Sequence, residues 1–254
     1  MLLAADESPP VQRLGADATS PFLLTADHAG RLIPRALGDL GLDEAERSRH
    51  IAWDIGIRAV TERLAKTLGA TAILQAWSRL VIDCNRRPGV ASSIPEISET
   101  TVIPGNLHLT DADREARRRE VFAPYHDAIA AEIAARKSRG QPTLYIAMHS
   151  FTPVFKGTAR PMHVAVLYNR APRLSRALAA LLRAEPGLVV AENEPYSVSD
   201  DTDYGVPVHA ERGGLDYVEI EIRQDLITDA AGQGLWADRL ARLLPQAAAT
   251  LEQR

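Results

Sequence analysis

Cysteine is nearly absent from this chain: Cys84 is the only one in 254 residues. No internal disulfide can form and a thiolate zinc cluster is excluded, so any metal must be held by histidine, aspartate or glutamate. Long apolar runs are missing too. No stretch approaches the roughly eighteen uncharged apolar residues that suggest a membrane span, and the opening MLLAADESPP turns acidic too soon for a signal peptide. A strong charge of either sign is also lacking. A net charge of −4 and a pI near 6.0 give no basic field, which argues against nucleic acid or an anionic membrane as partner. No internal repeat or low-complexity linker divides the chain. These absences point to a soluble cytoplasmic protein with a small-molecule ligand. Its 46% hydrophobic content is enough for one domain over residues 1–254, with 1–20 peripheral or poorly ordered.

What is present reads as alternating strands and helices. FLLTAD (22–27), ATAILQA (70–76), RLVID (79–83), TLYIAMHS (143–150), MHVAVLYN (162–169), LVVAEN (188–193) and YVEIEIR (217–223) have strand character. Helices are expected from Asp43 to Gly69, from Thr110 or Asp111 to about Arg139, over 173–184 and over 235–251. Residues 88–108 and 194–214 are irregular, the second a possible lid. The pattern predicts a single-domain α/β fold with a mixed, mainly parallel sheet flanked by helices, and such sheets collect ligands beyond the carboxyl ends of their strands.

Polar groups sit at four of those ends. His28 follows FLLTAD, Asp83 to Arg86 follow RLVI, His149 and Ser150 follow LYIAM, and YVEIEIR carries charges on one face. Histidines on rigid strand ends suit metal ligation, and a catalytic zinc needs about three protein ligands, so His28 and His149 require a further donor. Asp54 in RHIAWDIG is one choice, read as lying on the helix after His28; His50, one turn away on the same face, and Asp27 are the others. Asp54 equally suits an ordinary helical pair with Arg58. Strand alternation puts Glu219, Glu221 and Arg223 on one face, and Glu221 is the preferred general base. Arg86, Asn85 and Arg79 form a possible clamp for a carboxylate, although Asp83 paired to one arginine would explain the same residues structurally.

Taken in order, LLTADHAGRLIP, HIAWDIG, SRLVIDCNRRPG, IPGN, YHDAI, MHSFTP, ENEPYS and VEIEIRQDL resemble the N-formylglutamate amidohydrolase family, itself related to zinc carboxypeptidases and aspartoacylases. The resemblance spans about residues 21–228. It implies a phosphorylase/hydrolase-like, zinc carboxypeptidase-like fold, bound zinc and hydrolysis of an N-acyl amino acid, foremost N-formyl-L-glutamate. By the same resemblance His28 and His149 correspond to zinc ligands, Asn85 and Arg86 to the substrate-carboxylate residues of a D-x-N-R phrase, and Glu221 to the catalytic glutamate. One departure is Arg31, where carboxypeptidase-like enzymes carry a liganding glutamate; Asp54 is the best replacement. Arg79, Arg223 or His209 is then expected to meet a second carboxylate or the oxyanion, and Ser150 is expected among the substrate-binding residues. The rival readings are a hydrolase of another N-acyl amino acid and a metal-free binder of a carboxylate ligand.

Overall fold

The apolar runs of the sequence become the centre of a seven-stranded sheet in the computed structural model, which describes residues 1–251. In chain order the strands are β1 (Val11–Leu14), β2 (Phe22–Ala26) and β3 (Thr71–Gln75), then β4 (Ile97–Ser98) and β5 (Thr101–Val102), which form a small separate hairpin. There follow β6 (Leu144–Phe151), a second hairpin of β7 (Val154–Phe155) and β8 (Thr158–Ala159), and finally β9 (Val164–Leu167), β10 (Val190–Glu192) and β11 (Tyr217–Arg223). The main sheet runs β1-β3-β2-β6-β11-β9-β10. Every pairing is parallel except β1 with β3 and β11 with β9, so the sheet is mixed and mainly parallel, as the pattern predicts. Within the first twenty residues, β1 adds an edge strand and Leu2 is buried.

Among the described residues, six α-helices accompany the sheet: α1 (Glu44–Arg47), α2 (Ile57–Leu68), α3 (Asp111–Arg117), α4 (Ala123–Ser138), α5 (Arg173–Arg183) and α6 (Ala230–Ala249). Leu24, Met148, Val166 and Ile220 pack on one face against Val60, Leu178 and Trp236 of α2, α5 and α6. On the other face, Leu23, Ile73, Tyr145 and Tyr217 meet Phe122, Tyr125 and Ile129 around α4. Helix α3 starts with a reciprocal cap between Thr110 and Asp113 and continues through a wide turn at Arg118–Phe122 into α4, matching the expected long helix.

Two sequence expectations are corrected. The helix expected from Asp43 to Gly69 is broken after α1, and residues 48–56 form turns before α2 begins. Gly56 permits the break: its φ is +80°, and a Cβ there would lie 2.1 Å from the Ile227 carbonyl oxygen. Asp54 therefore sits in a loop and not on a helix, and the shared-face argument linking it to His50 fails. Arg58 pairs with Glu62 instead. The second correction is RLVID, whose Leu80 to Asp83 are buried but which forms no strand. Two of its carbonyls are satisfied by side chains, with Asn106 Nδ2 donating to Leu80 O at 2.9 Å and Arg117 Nη1 donating to Val81 O at 3.0 Å. Burial without a neighbouring strand is feasible because these donors replace the ladder.

Arg117 carries much of that replacement. It is buried, has no carboxylate partner, and also reaches Asn106 Oδ1 and Gly105 O; burial pushes its pKa down to about 10. Arg117→Ala is expected to cost about 3 kcal/mol or more, because three acceptors lose their donor and a cavity opens. Thermal unfolding should show a Tm lower by roughly 6–12 °C. An unchanged Tm would mean that the turn after β3 holds itself.

Candidate metal centre and active site

The carboxyl ends of β2, β3, β6 and β11 open into a cavity of about 450 Å³ whose walls include His28, Asp54, Arg79, Asn85, Arg86, His149, Ser150 and Glu221. His28 lies in the tight turn after β2. A Cβ on Gly30 would come within 1.9 Å of Ala76 O, so only glycine lets this turn pack so close to the end of β3. The Asp54 N–H donates to His28 O at 2.9 Å, stitching the two loops together. Asp54 Oδ2 accepts from the Ser150 N–H at 3.1 Å and stands 3.1 Å from His149 Nδ1, while Oδ1 is 3.5 Å from His28 Nδ1.

His28, Asp54 and His149 are all buried and bring one donor atom each within 4.8 Å of one another. This is a donor set suited to a divalent cation. The remaining atoms agree with it: His28 Nδ1 and His149 Nε2 are buried without a hydrogen-bond partner, as are Glu219 Oε2 and Glu221 Oε2. Asp83 fixes the orientation of His28. Its Oδ1 takes the Nε2 proton at 2.7 Å, while Oδ2 takes a fork from Arg79 Nε (3.0 Å) and Nη2 (2.6 Å). Such an outer partner leaves the opposite ring nitrogen free to ligate.

Electrostatics follow from this packing. Burial disfavours charge on Asp54, yet the two imidazoles outweigh it and hold its pKa below the usual carboxylate range. Burial and Arg79 press His28 down, but Asp83 and Asp54 raise it overall. For His149, burial is outweighed by its bond to Asp54 and by the Glu219 charge. Burial drives Glu221 up to about 7 and pushes Glu219 well above its ordinary value.

Most residues picked from the sequence are brought together, but several stand differently from expectation. Neither His209 nor Arg223 lines the cavity. Arg223 is held by Asp225 and by the carbonyls of Arg160, Pro161 and Met162. Asn85 does reach the wall, but its side chain is already used, donating to Asp203 Oδ1 at 3.1 Å and accepting from the N–H groups of Tyr204 and Gly205 at 3.0 Å. It ties the 194–214 segment to the site. Ser150 Oγ donates to Ile55 O at 2.9 Å and so braces the Asp54 loop. His50 lines the cavity yet stays outside the three-residue cluster, 3.4 Å from Glu99. Asp27 points to the other side and accepts from Tyr125 OH at 2.9 Å. Sequence reasoning missed the wall role of Glu219, Tyr196 and Asp203. Alternation with Glu221 was the available signal for Glu219; Tyr196 and Asp203 come from irregular chain that carries no periodicity.

His209 has a different job. Its Nε2 is 2.9 Å from His126 Nδ1, and His126 Nε2 is 2.8 Å from Cys84 O. A carbonyl only accepts, so His126 carries its proton on Nε2 and takes a hydrogen bond from His209; both rings are neutral. Burial lowers His126 to about 3 and His209 to about 4. Both lie below the ordinary value near 6.5, so the stability they confer is full above that pH and is lost as pH falls toward their folded values. At pH 5 the loss is roughly 2 kcal/mol per ring. The Tm of the wild type should drop more steeply between pH 7 and 5 than that of His209→Phe, whatever their offset at pH 7. Parallel slopes would show that the pair does not titrate in this range.

Fold and site together define an α/β protein with a mainly parallel sheet, a buried His-Asp-His cluster with the donor atoms a metal ion needs, and an acidic strand facing the same cavity. Residues 20–228 match the model of the N-formylglutamate amidohydrolase family, and the chain belongs to that family. Among solved structures it is similar to the gene product Atu2144 from Agrobacterium tumefaciens, at 36% identity and a TM-score of 0.96 over 100% of both chains. It is also similar to an N-formylglutamate amidohydrolase from Ralstonia eutropha JMP134, at 19% identity and a TM-score of 0.70 over 97% of this chain and 99% of that one. No curated protein matches it. Among the described residues, no helix is long and apolar enough to cross a membrane.

Proposed function

We propose that this protein is a zinc-dependent amidohydrolase that cleaves N-formyl-L-glutamate to formate and glutamate. The observation that carries the proposal is the meeting of His28, Asp54 and His149 within 4.8 Å in the cavity that Glu221 lines, in a chain of this family. The three side chains would hold zinc, which when bound polarises an acyl carbonyl and acidifies water. Glu221 lies opposite His149 on the neighbouring parallel strand and is placed to take a proton from the attacking water and return it to the departing amine. Arg86 holds the substrate's α-carboxylate. It is the least committed arginine on the wall, donating only to Asn85 O at 2.9 Å and standing 3.9 Å from Asp203. Arg79 is engaged with Asp83 and 3.6 Å from Asp54, so it braces the donor set.

Elemental analysis of protein purified without added metal, beside formate release from a panel of N-formyl and N-acetyl amino acids, tests this reading. About one zinc per chain with formate released from N-formyl-L-glutamate is expected. Turnover only of other N-acyl substrates would keep the chemistry and change the substrate, whereas neither zinc nor turnover after zinc is supplied would favour a carboxylate-binding protein.

A further inference from the structure

Three buried arginines stand out among the described residues: Arg117, Arg136 and Arg160. Arg117 spends its donors on carbonyl and amide oxygens, and Arg136 pairs with Glu132 at 2.7 Å while also donating to backbone carbonyls and Thr71. Arg160 is different. It is 9% exposed, has no carboxylate within 4.0 Å, and its guanidinium makes one hydrogen bond, from Nη1 to Tyr196 OH at 2.9 Å. The rings of Phe151, Phe155 and Tyr196 surround it at 5.9, 4.8 and 4.9 Å. Nε and Nη2 are left without partners, yet neither is sealed from solvent.

Aromatic faces attract the cation but offer its N–H groups no acceptor, so the unused donors of this guanidinium suit an anion. The cavity is the adjacent space. Phe151 and Tyr196 belong to its wall. Burial chiefly sets the lowered pKa of His50 and the raised pKa of Tyr196, two groups on that wall, and the Arg160 charge acts on both. Arg160 is not itself a wall residue but is held against two that are, Tyr196 and Phe151, and the two arginines on the wall already have duties, since Arg79 is forked on Asp83 and Arg86 is assigned to the α-carboxylate.

Resting on the hydrolase reading, we infer that Arg160 receives a second carboxylate, so that the cavity selects N-acyl amino acids with an acidic side chain over their neutral counterparts. The aromatic collar and the Tyr196 bond hold the guanidinium plane, and its free Nε and Nη2 present a charged fork that favours a carboxylate over a neutral amide.

The test compares N-formyl-L-glutamate with N-formyl-L-glutamine, which differ in that one group. Calorimetric binding is measured on Glu221→Gln protein and on the same protein carrying Arg160→Gln or Arg160→Lys; kcat and KM are measured on the corresponding proteins with Glu221 intact. The preference for the acidic ligand should be about tenfold or more with Arg160, smaller with lysine and absent with glutamine, and should lie in KM. Tyr196→Phe, which removes only the phenol oxygen, should keep it. The inference is overturned if Arg160 protein shows no preference, if the preference survives both Arg160 substitutions, or if they weaken both ligands by one factor, as a purely structural role through Tyr196 would. Should Arg160→Gln not fold, the lysine variant and the wild type decide. Failure of the hydrolase reading would show separately, as no formate from either compound, while the binding comparison still decides the role of Arg160.

Discussion

Glu221→Gln is expected to lower kcat by about three orders of magnitude while leaving the metal content and the fold unchanged. The substitution keeps the volume and the planar head of the side chain but removes its ability to accept a proton. Glu221 is positioned by β11, a strand whose Val218, Ile220 and Ile222 are locked in the core on the opposite face. The backbone that aims residue 221 therefore does not depend on its head group. Its Oε2 has no hydrogen-bond partner, so no existing protein donor loses its acceptor in the variant. Burial is the main cause of the raised Glu221 pKa, which means that a neutral amide at this place relieves a desolvation cost. The Tm of the variant should equal or exceed that of the wild type. Formate release, elemental analysis and thermal unfolding on the same preparation check all three statements; turnover within tenfold of wild type would remove Glu221 from the chemistry.

Asp54→Ala has the next largest expected effect, namely loss of bound zinc and, with it, of turnover. The carboxylate stands between two imidazoles, and no other acidic side chain among the described residues joins that cluster. Without it, two buried histidines face each other at a ring-centroid distance of 5.2 Å with no anion between them, a poor site for a dication. The Ser150 N–H also loses its acceptor. His50→Ala is the control, because His50 shares the cavity but pairs with Glu99 outside the donor set. Elemental analysis should find close to one zinc per chain in His50→Ala and little in Asp54→Ala. The reverse result would make His50 the third ligand.

Much of the site was legible because strands advertise themselves. His28, His149 and Glu221 each follow or sit within an apolar or alternating run, and position in such a run fixes both the face and the end of the sheet. The same alternation assigned Asp27 to the opposite side, where Tyr125 meets it. Arg223 shows the limit of that logic: it shares a face with Glu221, yet it lies one pair further along β11 and is drawn to Asp225 and to three carbonyls. His209 was a lone polar residue in irregular chain, where no period gives a direction. Only its neighbour His126 explains it.

The sequence by itself determined the alternation of strands and helices, the mainly parallel sheet, the exclusion of thiolate ligands and the family. Local patterning encodes these, because side-chain periodicity and backbone preference act within a few residues. Tertiary structure alone decided that residues 48–56 leave the helix so that Asp54 can enter the donor set, that RLVID is buried as turns held by Asn106 and Arg117, and that Arg160 lacks a carboxylate partner. Each of these depends on groups far apart in the chain satisfying, or failing to satisfy, one another's hydrogen bonds and charges, a balance set only when distant segments pack.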